Sequence, residues 1–259
     1  MKIPIYQIDT FSSKIFGGNP AAVCPLDNWL SDDLLQNIAE ENNLSETSFI
    51  VKDKGEFHIR WFTPTVEVDL CGHATLASAF VIFNIIGHTN NNIIFHSKSG
   101  DLSVCRDKNW LVMNFPSTPP KICDVPNEII SAFDIKPIEV LKSNDYIVVF
   151  ENEKEILSLS PDLNFLENLD GRGVIITAKG ENSDFVSRFF APKCGVNEDP
   201  VCGSAHCSLT PYWSNRLNKN KLAARQLSTR GGLLRCELID NRVLISGQSV
   251  MYLEGILHV

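Results

Sequence analysis

At 259 residues the chain is longer than a typical single domain, and a pair of similar halves would suit its length. Its composition, 44% hydrophobic and 21% charged, is that of an ordinary globular protein with enough apolar material to form a core. The formal net charge of −8, with no block of Lys and Arg, argues against nucleic acid and against an anionic membrane as partners.

Strand-like segments, with alternating apolar residues or short apolar runs, dominate the chain from end to end. In chain order they are 2–11, the strand after the glycine turn in 16–26, 47–52, 57–62, 91–97, 102–107, 110–115, 146–151, 173–179, 184–190, 225–230, 233–239, 242–247 and 252–259. An amphipathic helix is predicted over 30–43 with Ser31 as its N-cap, and another from Pro161 capped by Ser160.

Neither export nor membrane insertion is indicated. Asp9 interrupts the first residues before the apolar stretch of a signal peptide could form. The longest nearly apolar run, 74–87, is too short to span a bilayer. We therefore expect a cytoplasmic protein, and in that reducing compartment the eight cysteines are expected to be thiols rather than disulfides.

The segment after Cys71, GHATLASAFVIFNIIG, is apolar around the whole circumference of a helix. A helix of this kind is buried on all sides rather than along one stripe. Because strand-like segments surround it in the sequence, we expect a helix threaded through a curled sheet, once in each half of the chain.

Three motifs occur twice, in the same order and roughly 130 residues apart. They are Arg60–Pro64 with Arg188–Pro192, Cys71–Ala74 with Cys202–Ala205, and Ser97–Leu102 with Thr229–Leu234. Shared strand composition could mimic one match, but three in register indicate a duplicated domain. The proline-rich segment 114–128 is typical of a linker leading into a helix with Pro126 in its first turn. We therefore predict an N-terminal domain over 1–116 and a C-terminal domain over 117–249.

The two Cys-Gly steps lie where the chain turns into the predicted helices. The first N–H groups of a helix have no internal partner and carry the positive end of its dipole. Helix starts at Gly72 and Gly203 would therefore bind a carboxylate or a developing enolate without a metal or an arginine. The same field stabilises thiolates, so the pKa values of Cys71 and Cys202 are expected to lie below that of a free thiol.

The matched cysteines favour a two-base racemase or epimerase, in which one thiolate removes a proton alpha to a carboxylate and the other thiol delivers one. Small buried cysteines at tight packing sites are an alternative explanation. Zinc is a third, because Cys71 with His73, and Cys202 with His206 and Cys207, offer possible ligands. Neither group has the C-x₂-C spacing of a structural zinc site, so we predict no metal.

Three further polar residues have open assignments from the sequence alone. Glu46 stands where a helix ends and a strand begins, a place more typical of a surface or capping carboxylate than of a catalytic one. Asp199 could orient a base or cap the helix that follows Cys202. His73 could donate to an anion or fill a polar pocket at the helix start.

Five segments together resemble the PhzF family, named for an isomerase of phenazine biosynthesis. They are FGGNPAAV, NLSETSFI, RWFTPTVEVDLCGHATLASA, RFFAPKCGVNEDPVCGSAH and STRGG, and they extend over essentially the full chain. The resemblance implies the α+β fold of diaminopimelate epimerase. That fold has two similar domains, each a barrel-like, mostly antiparallel sheet around a central buried helix, with the active site in the cleft between them. It also implies that the C-terminal strand, about 250–259, packs back on the first domain, and that the protein is a homodimer.

By the same resemblance, Glu46 takes the position of the family's acid/base carboxylate. The phenazine enzyme uses that carboxylate to relocate a proton within a cyclic dienoic acid without a cofactor, so no cofactor is expected here. The other matched positions are His73, Asp199 and Ser204, the substrate-binding helix starts Gly72 and Gly203, and Asn19 in FGGNPAAV, which we predict to bind substrate.

The sequence departs from that enzyme in its two cysteines, because many relatives carry Thr at the position of Cys202. Three functional hypotheses result. The first is a cofactor-independent isomerase that moves a proton on a small carboxylate-bearing substrate, with Glu46 as acid and base. The second is an amino-acid racemase or epimerase that uses Cys71 and Cys202. The third is a ligand- or protein-binding regulator that keeps the fold without turnover.

Overall fold

The computed structural model describes all 259 residues, which form eighteen strands and six helices, numbered here along the chain. The chain divides into two compact units. The first unit is Met1–Asn114 together with Ser246–Val259, and the second is Phe115–Ile245. None of the helices combines the length and the apolar composition needed to cross a lipid bilayer.

The first unit is a mostly antiparallel sheet with two helices. Its elements are β1 (Lys2–Thr10), β2 (Asn19–Leu26), α1 (Asp32–Asn42), β3 (Glu46–Asp53), β4 (Glu56–Phe62), β5 (Glu67–Val68), α2 (Gly72–Val81), β6 (Asn92–Ser97), β7 (Gly100–Asp107), β8 (Trp110–Pro116) and β18 (Ser249–His258). The strands pair antiparallel as β18–β1, β1–β2, β3–β4, β4–β5, β6–β7 and β7–β8, and parallel as β2–β3 and β4–β6. Strand β18 runs along the whole of β1, from Lys2 opposite His258 to Thr10 opposite Ser249.

Helix α2 is enclosed by its unit. Eight of its ten residues are buried, and it packs against β1, β2 and β3. Its small residues let the strands approach closely, and its polar side chains bond inside the core: the Ser78 hydroxyl contacts the carbonyl of Ala74 and the Ser48 hydroxyl, each at 2.8 Å. After Val81 the helix widens into a π-turn over Ile82–Ile86 and ends at Gly87, whose φ of 82° suits glycine.

The second unit repeats this plan with more helices. Its elements are β9 (Lys121–Ile122), α3 (Asn127–Ala132), β10 (Glu139–Lys142), β11 (Tyr146–Val149), α4 (Glu153–Ser158), α5 (Leu163–Glu167), β12 (Val174–Lys179), β13 (Phe185–Ala191), β14 (Val196–Asp199), α6 (Gly203–Leu217), β15 (Lys221–Gln226), β16 (Gly232–Ile239) and β17 (Arg242–Gly247). Strands β11–β12 and β13–β15 pair parallel, as β2–β3 and β4–β6 do, and β12–β13 and β15–β16 pair antiparallel.

Helix α6 is the buried helix of the second unit and contains a proline. Pro211 cannot donate the backbone hydrogen bond that the carbonyl of Cys207 would otherwise accept. The N–H of Thr118 donates to that carbonyl instead, at 3.0 Å. Further along, the indole of Trp213 stacks on Phe185 and donates to Thr177 at 3.0 Å. The carbonyl that the proline leaves without its helical partner is therefore bonded from outside the helix.

The duplicated motifs adopt matching local structures. In the first unit the guanidinium of Arg60 binds both carboxylate oxygens of Glu67, at 2.7 and 2.9 Å, and lies 5.1 Å from the ring of Phe62. In the second, Arg188 binds both oxygens of Glu198, at 2.7 and 3.0 Å, and lies 5.0 Å from the ring of Phe190. The predicted fold class, two similar halves that each enclose a buried helix, is confirmed.

One predicted helix start differs from the structure. The helix expected from Pro161 with Ser160 as cap is instead α5, which begins after Asp162, because the Asp162 carboxylate accepts from the N–H of Asn164 at 3.0 Å. Ser31 is the N-cap residue of α1, as predicted, although its side chain makes no capping hydrogen bond.

Candidate active site

Helix α2 begins without a capping side chain. Cys71 is extended and makes no side-chain cap, and the first turn of α2 contains no acid. The carbonyl of Cys71 accepts from both the N–H and the hydroxyl of Thr75, at 3.1 and 2.6 Å. The first N–H groups of α2, from Gly72 onward, thus have no capping side chain, and the positive end of the helix dipole lies at this turn.

Glu46 lies beside this helix start. It is the first residue of β3, and the parallel pairing with β2 sets it opposite Ala21, close to Asn19 at the start of β2. Its side chain is 19% exposed, and Oε2 lies 3.1 Å from Nε2 of His73. Neither of these two atoms has a hydrogen bond to any other group, so the contact between them is the one polar contact that each makes.

His73 joins Glu46 to Cys71 and Asn19. Its Nδ1 lies 3.5 Å from Sγ of Cys71 and 3.4 Å from the amide nitrogen of Asn19. A protonated Nδ1 donates to the sulfur of Cys71. The amide group of Asn19 then faces it with the oxygen, which accepts, rather than with the nitrogen. Four residues that the sequence predicted for the site therefore lie together in the first unit.

The Glu46–His73 pair is held in its ionised form. Burial of Glu46 opposes ionisation, but the attraction of His73 and the hydrogen-bonding groups of His73 and Cys71 outweigh it, so the pKa of Glu46 is lowered. Burial of His73 likewise opposes its charge, yet Cys71 and Glu46 raise its pKa well above 6.5. At neutral pH the site contains a carboxylate beside an imidazolium.

The expectation of low thiol pKa values is wrong for both cysteines. Burial raises the pKa of Cys71, and the Glu46 carboxylate raises it further. Burial raises the pKa of Cys202 to about 12, with a contribution from Asp199. The free-energy cost of desolvating a thiolate thus exceeds the stabilisation that the helix starts supply, and both cysteines are thiols at neutral pH.

The corresponding helix start of the second unit is also built around its cysteine. Helix α6 begins at Gly203, and the N–H of Cys202 donates to Oε1 of Gln226 at 3.0 Å. Gln226 in turn donates to the carbonyl of Asp199 at 2.8 Å, which ties the end of β14 to this turn. Sγ of Cys202 lies 3.3 Å from the hydroxyl of Ser204. Cys202, Gly203 and Ser204 therefore share one turn, with Asp199 linked to it through its backbone.

An arginine that the sequence analysis did not anticipate lies at this turn. Arg172 binds both oxygens of Asp145, with Nε–Oδ1 at 3.1 Å and Nη2–Oδ2 at 2.6 Å, and Nη2 also donates to the hydroxyl of Ser204 at 2.9 Å. The second helix start therefore has an arginine beside it, which the sequence did not indicate. Arg172 stands in the short turn DGRG, whose sequence alone gives no sign of a contact 32 residues away.

The two predicted metal alternatives have different outcomes. Ligand atoms of Glu46, Cys71 and His73 lie within 4.8 Å of one another, which is close enough for one cation. The group of Cys202, His206 and Cys207 forms no such cluster, because His206 bonds the carbonyl of Cys202 through Nδ1 at 2.8 Å. Burial also lowers the pKa of His206 to about 4, so it is a neutral core histidine.

The sequence and the fold agree with one group of known proteins. The family model PhzC-PhzF, described as phenazine biosynthesis-like protein, matches residues 8–255. The chain belongs to the PhzC-PhzF family. A Pseudomonas aeruginosa protein named as an uncharacterized isomerase is 51% identical to it over 259 residues, covering 100% of both chains. The predicted family is thus confirmed.

Solved structures of the PhzC-PhzF family and of epimerases share this architecture. A PhzF-family crystal structure from Enterococcus faecalis is 45% identical, covers 100% of both chains and superposes with a TM-score of 0.98. A hydroxyproline epimerase from Agrobacterium vitis is 9% identical, with a TM-score of 0.59 over 99% of this chain and 92% of its own. The second likeness concerns the fold alone and supports the predicted epimerase-like architecture.

Proposed function

We propose that this PhzC-PhzF protein is an isomerase that moves a proton on a small carboxylate-bearing substrate without a cofactor, with Glu46 as the acid and base. The observation that carries the proposal is the 3.1 Å contact between Glu46 and His73 at the uncapped start of α2. The isomerase class has independent support, since the relative that is 51% identical over the full chain is named an isomerase.

The charges of the site suit proton abstraction from carbon. A carboxylate with a lowered pKa is ready to accept a proton at neutral pH, although it is an intrinsically weak base. The neighbouring imidazolium and the first amides of α2 compensate, because they stabilise the enolate that forms as the proton leaves. Once protonated, Glu46 is a strong acid beside a cation and returns its proton readily to a second position.

Cys71 is placed to support this chemistry as a neutral thiol. It contacts Nδ1 of His73 at 3.5 Å, and its raised pKa keeps the proton on sulfur. We assign it the role of positioning His73, while Gly203, Ser204 and Asp199 of the second unit keep the binding and orienting roles that the family resemblance gives them. Self-association as a homodimer also remains a proposal, which sedimentation of the purified protein would test.

Solvent-deuterium incorporation tests the role of Glu46. Purified protein is incubated in heavy water with a panel of amino acids and cyclic unsaturated acids, and exchange at carbon is followed by proton NMR. Glu46→Gln should abolish exchange into any substrate that the wild type labels. Glu56→Gln is the matched control, because Glu56 also faces a histidine nitrogen, Nε2 of His96 at 3.0 Å, but at the surface. Undiminished exchange in Glu46→Gln would remove Glu46 from the mechanism.

A two-thiol racemase or epimerase is the second candidate. The matched positions of Cys71 and Cys202, each directly before a buried helix, favour it. The raised pKa values of both thiols weigh against it. If this candidate is correct, Cys71→Ala or Cys202→Ala removes activity and Glu46→Gln leaves much of it. A third outcome, a ligand that co-purifies while no carboxylate of the panel exchanges, would favour a non-catalytic binding protein.

A further inference from the structure

Arg172 differs from Arg188, which also pairs with a carboxylate in the second unit. Arg188 uses all its guanidinium nitrogens: Nε and Nη2 bind Glu198, and Nη1 donates to the carbonyls of Ile156 and Leu159 at 3.1 and 2.6 Å. Its side chain is 14% exposed, as expected of an arginine that only joins parts of a fold. Arg172 has a side chain that is 44% exposed, and its Nη1 takes no part in the contacts to Asp145 and Ser204.

The anchoring of Arg172 is as firm as that of Arg188. Its partner Asp145 is 4% exposed and binds the guanidinium in the two-pronged geometry that fixes both its position and its plane. The guanidinium also lies 5.1 Å from the ring of Phe189. A buried carboxylate therefore holds a planar cation whose outer edge remains open, a preorganised arrangement that adds no ordering cost when a ligand binds.

The contact with Ser204 connects this open edge to the start of α6. Nη2 donates to the Ser204 hydroxyl at 2.9 Å, and the family resemblance assigns Ser204 to the substrate site. Nη2 uses its two N–H groups on Asp145 and Ser204, so the open donors are the two N–H groups of Nη1. The Ser204 hydroxyl accepts from Nη2 and can donate its own proton, so Nη1 and Ser204 together match two oxygens of one anion such as a carboxylate or a phosphate. Of these anions, the carboxylate is the one that the proposed function requires.

We propose that Arg172 is an anion-binding residue of the second unit, which together with Ser204 binds a carboxylate group of the ligand. The choice of a carboxylate rests on the proposed function, whereas the anion-binding role rests only on the placement of Arg172. Asp145 is then a positioning residue, because it holds the guanidinium and touches no ligand itself.

Equilibrium binding tests this role without any turnover. Protein labelled with ¹⁵N is titrated with sodium acetate, sodium succinate and sodium phosphate at constant ionic strength, and the side-chain Nε–H signal of Arg172 is followed by NMR. The signal is assigned from its loss in Arg172→Lys. We expect a saturable shift of this signal with the carboxylates. Arg172→Gln lacks the signal, so binding by the variant, and by the wild type beside it, is followed at the backbone N–H of Ser204. There the affinity of Arg172→Gln should be weaker by about tenfold or more, as expected for the loss of one charge-assisted hydrogen bond.

Arg216 supplies a matched control. Its side chain is 47% exposed, it pairs with Glu139, and its guanidinium lies 5.2 Å from the ring of Tyr212. Arg216→Gln should bind the carboxylates as the wild type does. Because Arg172→Gln leaves Asp145 buried without its partner, the double variant Arg172→Gln, Asp145→Asn is measured alongside, with thermal unfolding to establish that it is folded.

Each result has a definite meaning. No saturable shift in the wild type, or equal affinity in the wild type and in the folded Arg172 variants, overturns the proposal and leaves Arg172 a structural residue. Binding of phosphate but not of the carboxylates overturns the assigned ligand. Failure of the wild type to exchange any proton, with its carboxylate binding intact and dependent on Arg172, would count against the proposed function and not against Arg172.

Discussion

His73→Asn is the substitution whose consequences the structure specifies most fully. In the wild type, the imidazolium at 3.1 Å attracts the Glu46 carboxylate by about 5 kcal/mol at an effective dielectric constant of about 20. That attraction is why the pKa of Glu46 lies below 4.5 although the carboxylate is largely buried. Removal of His73 leaves the burial opposed only by the hydrogen bond of Cys71, so the pKa of Glu46 should move from below 4.5 to above it.

The reversed direction of the Glu46 pKa shift has a measurable effect on how the free energy of unfolding depends on pH. In the wild type, the contribution of Glu46 is present above its unfolded pKa and is lost as the pH falls through the lowered folded pKa. The contribution of His73, whose pKa is raised, is complete below about 6.5 and is lost as the pH rises through the raised folded pKa. Between about pH 5 and pH 6 the pair is therefore ionised in the folded chain, and its contribution changes little with pH.

The variant should behave differently over the same range. Its folded state keeps a proton on Glu46 at pH values where the unfolded chain has released it, so its stability falls as the pH rises. The free energy of unfolding of the variant falls by up to about 1.4 kcal/mol per pH unit, or by about 2 kcal/mol between pH 5 and pH 6.5. Urea unfolding at a series of pH values, followed by tryptophan fluorescence, measures this slope for both proteins.

His96→Asn is the control for this measurement. His96 also contacts two carboxylates, at 3.0 and 2.7 Å, but both carboxylate side chains are 68% exposed. Water stabilises these exposed acids after the histidine is removed, so the stability of His96→Asn should not fall as the pH rises over this range. Parallel stability profiles for the wild type and His73→Asn would refute the assigned ion pair.

Two further predictions concern the thiols and the buried helix. Because burial raises the pKa values of Cys71 and Cys202, iodoacetamide at neutral pH should modify the exposed Cys105 and Cys194 first. Mass spectrometry of digests taken at successive times measures the order of labelling. Equally fast labelling of Cys202 would indicate a thiolate there. Leu76→Ala, which truncates a fully buried side chain of α2, should lower the free energy of unfolding by about 2–5 kcal/mol, whereas Leu253→Ala at a 42% exposed position should change it by less than about 0.5 kcal/mol in urea titrations. A small loss for Leu76→Ala would place α2 outside the core.

The fold could be predicted because its determinants are local or repeated. The segment after Cys71 shows its burial in an apolar composition around the whole helix, and eight of the ten residues of α2 are buried. The duplicated Arg60 and Arg188 motifs indicate the two similar halves, and their salt bridges are formed alike in the structure. The burial of α2 can be predicted from one short segment, and the duplication can be predicted from a comparison of two short segments.

The site could be predicted only in part, because its energetics depend on distant neighbours. The sequence places a helix start after Cys202 but does not show how completely the thiol is buried, and burial decides its pKa. The Glu46–His73 contact arises from the packing of α2 against β3, which brings together residues 27 positions apart, and Glu46 was identified only through the family resemblance. Arg172 had neither a motif nor a repeat partner, so only the folded chain reveals its contact with Ser204.

The most direct test of the account is the rate of solvent-deuterium incorporation by Glu46→Gln, compared with Glu56→Gln, on a substrate that the wild type labels. The account predicts a loss of at least about 100-fold for Glu46→Gln, the scale of a removed general acid and base, and no change for Glu56→Gln. A rate for Glu46→Gln within a few-fold of the wild type would contradict the central claim that this carboxylate carries the proton.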